Sequence, residues 1–311
     1  MVEAYRMAVP RILAALALAA AVSLAVAAPA ALAGSIVPAS GVYLGAFANE
    51  PGGITTLETA IGRNLALDRT YVPWTFTGWA NRIAPDKAAG RIPELAWTAA
   101  PTTTAAAIAA GTQDRVILAA ARAMRDSGTQ IMLVPWYEFD QPRGHKRFIG
   151  GPKRVIAAWR HMVRLFRAVG ATNVHFVWTP MAYDFGPYAN VDAAAFYPGN
   201  AYVHWIGADA YNFPGAPFRT QAELLDPALA FAHKHKKPFI VGETASLSSN
   251  AQTPTWIEAY GSWAALHPHV KAITYFDSIS PKGNDFRLIA HPSVLAAFAA
   301  LGQEASMQAM P

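Results

Sequence analysis

The stretch KPFIVGET, residues 237–244, places a short apolar run directly before Gly242 and Glu243. A second stretch, QIMLVPWYEFD at residues 130–140, has the same layout and leads to Glu138. Short apolar runs bounded by polar residues or glycine are typical of strands buried in a parallel sheet. Each stretch therefore predicts a strand with a glutamate at its carboxyl end.

Six further runs of this kind occur along the chain, and longer stretches with helical spacing separate them. The eight predicted strands are Gly41–Ala46, Leu67–Val72, Glu94–Trp97, Gln130–Trp136, Val174–Trp178, His204–Ala208, Pro238–Val241 and Ala272–Phe276. The clearest helices are residues 114–125 and 154–169, and Gly128 and Gly170 follow them where C-cap glycines belong. No Ser/Gly linker interrupts the alternation, which predicts the α/β fold class and a (β/α)8 TIM barrel in a single domain.

A doubly wound open sheet shows the same alternation of strands and helices. Such sheets usually carry a G-x-G-x-x-G or G-x-x-x-x-G-K-[ST] turn for phosphate binding, and neither motif occurs in this chain. Polar and aromatic residues instead follow several predicted strands. This placement favours the barrel, whose strand ends converge at one mouth.

The N-terminal residues have the composition of a secretory signal peptide. Arg6 and Arg11 precede an uncharged apolar run, residues 12–27, and the small-x-small tract Ala31-Leu32-Ala33 follows. We predict a signal peptide over residues 1–33 and a single (β/α)8 barrel domain over residues 34–311. The apolar run is shorter than the roughly 20 residues of a bilayer span. We therefore expect a secreted protein, extracellular or periplasmic, with no stable membrane insertion after cleavage; an uncleaved membrane anchor is the alternative.

The composition excludes several classes of protein. The 311 residues include no cysteine, which rules out disulfides, thiol nucleophiles and cysteine-rich zinc sites. The net charge of +5 is scattered, so no basic stripe indicates nucleic-acid binding. The histidines form no H-E-x-x-H motif, and no G-x-S-x-G elbow marks a serine hydrolase. We expect no cofactor and no metal, and a monomer.

Glu138 and Glu243 are the candidate catalytic residues. Each follows an apolar strand, so both carboxyls are expected at the barrel mouth, where aromatic neighbours raise the pKa of one of them. Hydrolysis of a glycosidic bond needs such a pair: one carboxyl protonates the leaving oxygen, and the other attacks the anomeric carbon or activates water. A structural ion pair to Arg or Lys is the alternative for either residue.

Other residues near the predicted mouth are candidates for binding a sugar. Flat aromatic faces suit pyranose rings, although some of the nine tryptophans, Trp97 and Trp205 among them, belong to the predicted core. Tyr211 is expected to hydrogen-bond the nucleophile, and Asp209 and Asp277 to support the site. The predicted substrate-binding residues are Trp136, Tyr137, Trp178, Tyr211, Asp140 and Phe276.

Several tracts together resemble glycoside hydrolase family 26, the β-mannanase family of a large (β/α)8 clan. They are GVYLG at 41–45, IPELAW at 92–97, NVHFVWTP at 173–180, FYPGN at 196–200, GADAYN at 207–212 and KPFIVGET at 237–244. The resemblance implies a retaining hydrolase in which Glu138, after strand four, is the acid/base and Glu243, after strand seven, is the nucleophile. It implies a polysaccharide partner and endo-cleavage of β-1,4-mannan.

The strand-four tract departs from the family pattern. The family usually reads R-P-x-H-E-M-N-G, whereas residues 134–141 read VPWYEFDQ, with Tyr137 at the histidine, Asp140 at the asparagine and Gln141 at the glycine. These neighbours shape the subsite around the scissile bond. A β-glucan, a xylan or a bacterial exopolysaccharide is therefore an alternative substrate, and a catalytically weak or inactive glycan-binding barrel is the alternative function.

Overall fold

The computed structural model describes residues 36–141, 150–186, 189 and 191–311. These residues form a closed barrel of parallel strands that follow one another in sequence order. The strands are β1 Tyr43–Ala48, β2 Leu67–Pro73, β3 Ile92–Thr98, β4 Ile131–Pro135, β5 Val174–Trp178, β6 Trp205–Asn212, β7 Phe239–Ser246 and β8 Val270–Asp277. Pairing of β1 with β8 closes the barrel. The prediction of a single-domain (β/α)8 barrel is confirmed.

Helices surround the barrel and bury their apolar faces against it. They are α1 Gly53–Ile61, α2 Trp79–Ala89, α3 Ala105–Ala109, α4 Asp114–Ser127, α5 Pro152–Ala168, α6 Gln221–Lys234, α7 Thr253–Leu266 and α8 Pro292–Gln303. The helical spacing in α4 places Ile117, Ala120 and Met124 on its buried face. Gly128 and Gly170 adopt the left-handed conformation after α4 and α5, as the sequence predicts.

Two strands extend further than their apolar runs indicate. The predicted seventh strand ends at Val241, but β7 runs to Ser246, so Glu243 lies within it. The predicted sixth strand ends at Ala208, but β6 runs to Asn212 and includes Tyr211. Irregular register near these positions keeps the ladder intact while the side chains become polar. The apolar pattern therefore ends before each of these two strands does, at the point where the candidate site begins.

The barrel has a small apolar core of its own, separate from the core beneath the helices. Tyr43, Leu67, Ile92, Met132 and Trp205 belong to this smaller cluster. Alternate residues of a strand point to the same side of the sheet, so the inward positions that follow Leu67 and Ile92 by two residues also face the interior. Those positions hold charged side chains, and the candidate site is built on them.

Some predictions lie outside the described residues. The signal peptide of residues 1–33 and its cleavage after Ala33 fall in this group and stay predictions. Across the part of the chain that the structure describes, none of the helices combines the length and the apolar character that a membrane crossing requires.

Candidate active site

Arg69 of β2 is the centre of the charge network inside the barrel. Its side chain is fully buried and forms ion pairs with Glu94 of β3 and Glu243 of β7. The Nη2 atom of Arg69 donates to Glu243 Oε1 at 2.5 Å. Glu94 has a further partner, because Thr274 Oγ1 of β8 donates to Glu94 Oε2 at 2.7 Å. These partners compensate a guanidinium whose burial would otherwise be strongly destabilising.

Both carboxylate oxygens of Glu243 accept a short hydrogen bond. Besides the Arg69 contact to Oε1, the Tyr211 hydroxyl donates to Oε2 at 2.5 Å. Hydrogen bonds of this length to a charged oxygen are among the stronger ones in proteins. They fix the orientation of a carboxylate that is only 4% exposed. The predicted hydrogen bond from Tyr211 to this glutamate is present.

Asp209 of β6 lies beside the same network in a different state. It is fully buried, and neither carboxyl oxygen has a hydrogen-bond partner among the described residues. Burial and the negative charge of Glu243 raise the pKa of Asp209 well above its ordinary value. Gly242 makes room for it, since a Cβ atom there would stand 2.6 Å from Asp209 Oδ1. The surroundings of Asp209 therefore favour the protonated form over the charged one.

Glu138 lies in the turn that follows β4. Its φ is +52°, a left-handed conformation that few residues other than glycine adopt, and Trp136 has a φ of +55°. The Glu138 amide donates to Thr179 O at 3.0 Å, which holds the turn against the end of β5. Burial and the charge of Glu243 raise the pKa of Glu138 to about 8. This carboxyl is consequently protonated at neutral pH.

The carboxyl groups converge at the mouth. At least one oxygen each of Glu138, Asp209 and Glu243 lies within 4.8 Å of the others. Three carboxylates can adopt this arrangement around a divalent cation, but here Arg69 supplies positive charge to Glu243 and two of the three acids have raised pKa values. We assign these residues no metal. The arrangement places a carboxyl with a raised pKa, Glu138, next to one that is paired with Arg69, Glu243.

Aromatic rings form the wall next to these carboxyls. The Tyr71 ring centroid lies 4.7 Å from that of Phe47 and 5.1 Å from that of Tyr137. Phe276 of β8 extends the wall, 5.2 Å from Phe47 and 6.0 Å from Tyr211. Partly exposed tyrosine and phenylalanine faces of this kind suit the apolar face of a sugar ring.

No family model matches the chain. A sequence relative is Endoglucanase H of Acetivibrio thermocellus, which is 28% identical over 275 residues. The alignment covers 83% of this chain but 30% of that protein, so the chain spans less than a third of its relative.

Three solved structures are similar over most of their length. A modular endo-β-1,4-mannanase of family 26 from Cellulomonas fimi has a TM-score of 0.67 at 14% identity, covering 86% of this chain and 71% of that one. The family 26 domain of an endo-β-mannanase/endo-β-glucanase from Prevotella bryantii has 0.63 at 16%, covering 87% and 91%. A β-mannanase from a symbiotic protist of the termite Reticulitermes speratus, solved with a gluco-manno-oligosaccharide, has 0.60 at 17%, covering 86% and 88%.

The fold is that of the family 26 glycoside hydrolases. The resemblance drawn from the sequence is thus confirmed at the level of the barrel, and the named relatives are glycoside hydrolases. Within this barrel, Glu138 follows β4 as predicted, whereas Glu243 lies on β7 rather than after it.

The predicted substrate-binding residues divide into two groups. Tyr137, Tyr211 and Phe276 lie in the wall beside the carboxyls, and all three are partly exposed. Trp136, Trp178 and Asp140 are buried, with exposures of 3%, 0% and 2%. For these three the prediction of sugar contact is wrong.

The buried residues have structural roles instead. Trp178 packs between Phe139 and Phe231 in the core outside the barrel, and the Trp136 ring centroid lies 6.0 Å from that of Trp159. Because strand residues alternate between faces, a tryptophan at a strand end points either to the mouth or to the helices, and the residue type does not decide which. Asp140 accepts hydrogen bonds from the Met181 amide.

Sequence reasoning missed Arg69 and Glu94 as functional residues. Both lie in apolar runs, LDRTYV at 67–72 and IPELAW at 92–97, where a charged residue interrupts an otherwise buried strand. Such a residue is rarely buried unless it is paired. One arginine and one glutamate in neighbouring strands were the signal that could have revealed the pair.

Proposed function

We propose that the chain is a secreted retaining glycoside hydrolase that cleaves a β-linked polysaccharide internally, with β-1,4-mannan as the first candidate. The observation that carries the proposal is the pairing of two adjacent carboxyls in different surroundings: the pKa of Glu138 is raised, whereas Glu243 accepts hydrogen bonds from Arg69 and Tyr211. Glu138 and Glu243 have oxygens within 4.8 Å of each other, which fits the short separation of retaining enzymes, about 5 to 5.5 Å, rather than that of inverting ones.

The residues divide the chemistry between two steps. Glu243 attacks the anomeric carbon while the bond to the leaving oxygen breaks, and Glu138 transfers its proton to that oxygen. In the second step Glu138, now a carboxylate, accepts a proton from water as the water oxygen attacks the same carbon and releases Glu243. Arg69 and Tyr211 hold the nucleophile in place before attack.

The candidate substrates are chosen from those of the similar proteins and from the aromatic wall beside the carboxyls. Mannanases are prominent among the structural neighbours, and the sequence relative is an endoglucanase. Tyr137 stands where the resemblance has a histidine, and its ring packs on Tyr71 rather than presenting an imidazole to the sugar. Mannan, glucomannan and β-glucan are therefore the substrates to compare first.

The test is release of reducing sugar by the purified protein from mannan, glucomannan, xylan, β-glucan and an acidic exopolysaccharide. We expect release from at least one glycan, and we expect Glu138→Ala and Glu243→Ala to abolish it. Glu258→Ala, an exposed glutamate of α7, is the matched control. The anomer formed first, followed by NMR, must keep the β configuration; an inverted product would rule out the proposed steps. Binding without turnover would support the glycan-binding alternative.

A further inference from the structure

A buried pair of carboxyl groups lies behind the turn that carries Glu138. Asp140 is in that turn, and Asp184 is in the 3₁₀ turn Ala182–Phe185 that follows β5. Both side chains belong to residues that are 2% exposed, and they lie close enough for each to shift the pKa of the other. The proposed reaction does not use either one.

The other contacts of this pair leave one oxygen of Asp184 that a proton on Asp140 could reach. The Met181 amide donates to Asp140 Oδ1 and Oδ2, at 3.3 and 3.0 Å. Gln141 Nε2 donates to Asp184 Oδ2 at 2.9 Å, and the Val191 backbone N–H is a further partner of the Asp184 carboxyl. Asp184 Oδ1 is buried and has no N–H or O–H partner among the described residues. Two facing carboxylates would repel each other there, whereas a proton on Asp140 would supply the missing donor.

The charges around Asp140 favour that proton. Burial and the charge of Asp184 raise the pKa of Asp140 well above its ordinary value, and the backbone amide of Met181 opposes the shift. Among the residues that the structure describes, the other titratable groups that face this region are Tyr183 from the 3₁₀ turn and Glu138 from the turn of Asp140 itself. Both add negative charge when ionised, so neither stabilises a second carboxylate.

The pair also joins the two turns that frame the acid/base. Gln141 contacts Asp184 as described above, and the Tyr183 hydroxyl donates to Gln141 Oε1. The Gln141 amide donates to Glu138 O at 3.0 Å. The left-handed backbone of Glu138 is thus held by contacts on both sides. A conformation this sparsely populated persists only where its surroundings determine it.

We propose that Asp140 and Asp184 share one proton and act as a clamp that positions Glu138 for proton transfer, an inference that rests on the proposed function. Asp140 is a positioning residue, which donates to Asp184 and does not touch the substrate. The family resemblance places an asparagine at this position, and an amide can donate the same bond without a titratable proton. In this chain the bond to Asp184 therefore depends on the protonation of Asp140, whereas a bond from an asparagine side chain would not depend on pH.

The first experiment compares Asp140→Ala and Asp140→Asn on two substrates. One is the polysaccharide that the wild-type protein cleaves; the other is the 2,4-dinitrophenyl glycoside of the same sugar, whose leaving group needs no proton. We expect Asp140→Ala to lower kcat/KM on the polysaccharide about 10- to 100-fold, because the acid is misplaced. On the aryl glycoside the loss should stay below about twofold. Asp140→Asn should stay within about threefold of wild type on both.

Controls separate positioning from folding. Gln141→Ala removes a contact to the same clamp from a partly exposed position and should show the same split between substrates if Asp140→Ala fails to fold. Asp226→Ala on α6 removes one hydrogen bond, from Trp263 Nε1, on the outside of the barrel and should change neither value. Equal losses on both substrates, or an Asp140→Asn variant as impaired as Asp140→Ala, would overturn the proposal.

A second measurement reports the shared proton without any activity. A buried carboxyl with a raised pKa binds a proton in the folded state that the unfolded chain releases above about pH 4, so its burial destabilises the fold as pH rises. The melting temperature of wild type should therefore fall relative to that of Asp140→Asn between pH 4 and pH 8. A difference that is independent of pH would contradict a shared proton. A wild type inactive on every glycan but showing this trend would reject the proposed function alone.

Discussion

Replacing Arg69 by methionine is the most informative single change in the barrel. The side chain is fully buried, and its removal leaves Glu94 and Glu243, 0% and 4% exposed, without their cation. Breaking a buried ion pair in this way costs about 3 to 5 kcal/mol, because an uncompensated charge remains. For a domain of this size, with an unfolding entropy of about 2.1 cal/mol/K per residue, the melting temperature should fall by roughly 5 to 9 °C. Activity should be lost as well, since Glu243 loses its donor on Oε1.

The double variant Arg69→Met/Glu94→Gln isolates the electrostatic cause. Neutralising Glu94 removes one of the two uncompensated charges, so the double variant should regain at least about 1 kcal/mol of unfolding free energy over the single one. Activity should stay absent, because Glu243 still lacks its partner. Urea denaturation and thermal melting of both variants, with sugar release measured alongside, provide the test. An Arg69→Met protein as stable as wild type, or a double variant no more stable than the single, would refute this account of the network.

Three further outcomes are expected. Glu138 must be protonated to act as the acid, and its pKa is raised to about 8. The kcat/KM on polysaccharide should therefore fall about tenfold per pH unit above pH 8, whereas kcat/KM on the aryl glycoside should not. A polysaccharide profile that is independent of pH would contradict the assignment. Tyr211→Phe should lower kcat about 10- to 100-fold through loss of its bond to Glu243. Tyr197→Phe, whose hydroxyl donates to the exposed Asn200 and contacts neither candidate catalytic residue, is the comparison and should leave kcat unchanged. Burial lowers the pKa of His175 to about 4 and of His204 to about 3. Below pH 6.5 the unfolded chain therefore binds protons that the folded chain does not bind, so the free energy of unfolding should fall as the pH drops from 6.5 towards 4. His175→Gln should reduce this pH dependence of the melting temperature.

Much of the architecture could be predicted because it depends on local pattern. Apolar runs identify all eight strands, and helical spacing together with Gly128 and Gly170 locates α4 and α5. The strand ends were less predictable: β7 continues through Glu243 as its inward side chains become polar. The apolar pattern of a sequence reports which residues are buried among other apolar residues. At the mouth of a barrel the strand continues although its inward side chains are polar, so the pattern no longer marks the strand end.

The candidate site could be predicted where chemistry and strand position agree, as for Glu138, Glu243 and Tyr211. Trp178 shows the limit, because its sequence position at the end of β5 is the same whether it faces a sugar or the helices. Asp140 shows another: its carboxyl sits close to the acid/base but points to Asp184 rather than to the mouth.

The sequence by itself determined the order of strands and helices, the barrel and the two glutamates, because each follows from patterns within a few residues. Only the tertiary structure decided which groups surround each of those glutamates. Arg69 reaches Glu243 across 174 positions of the chain, and Glu138 keeps its proton because burial and Glu243 act on it together. A pKa depends on the distances between groups that chain closure brings together, and no local pattern contains those distances.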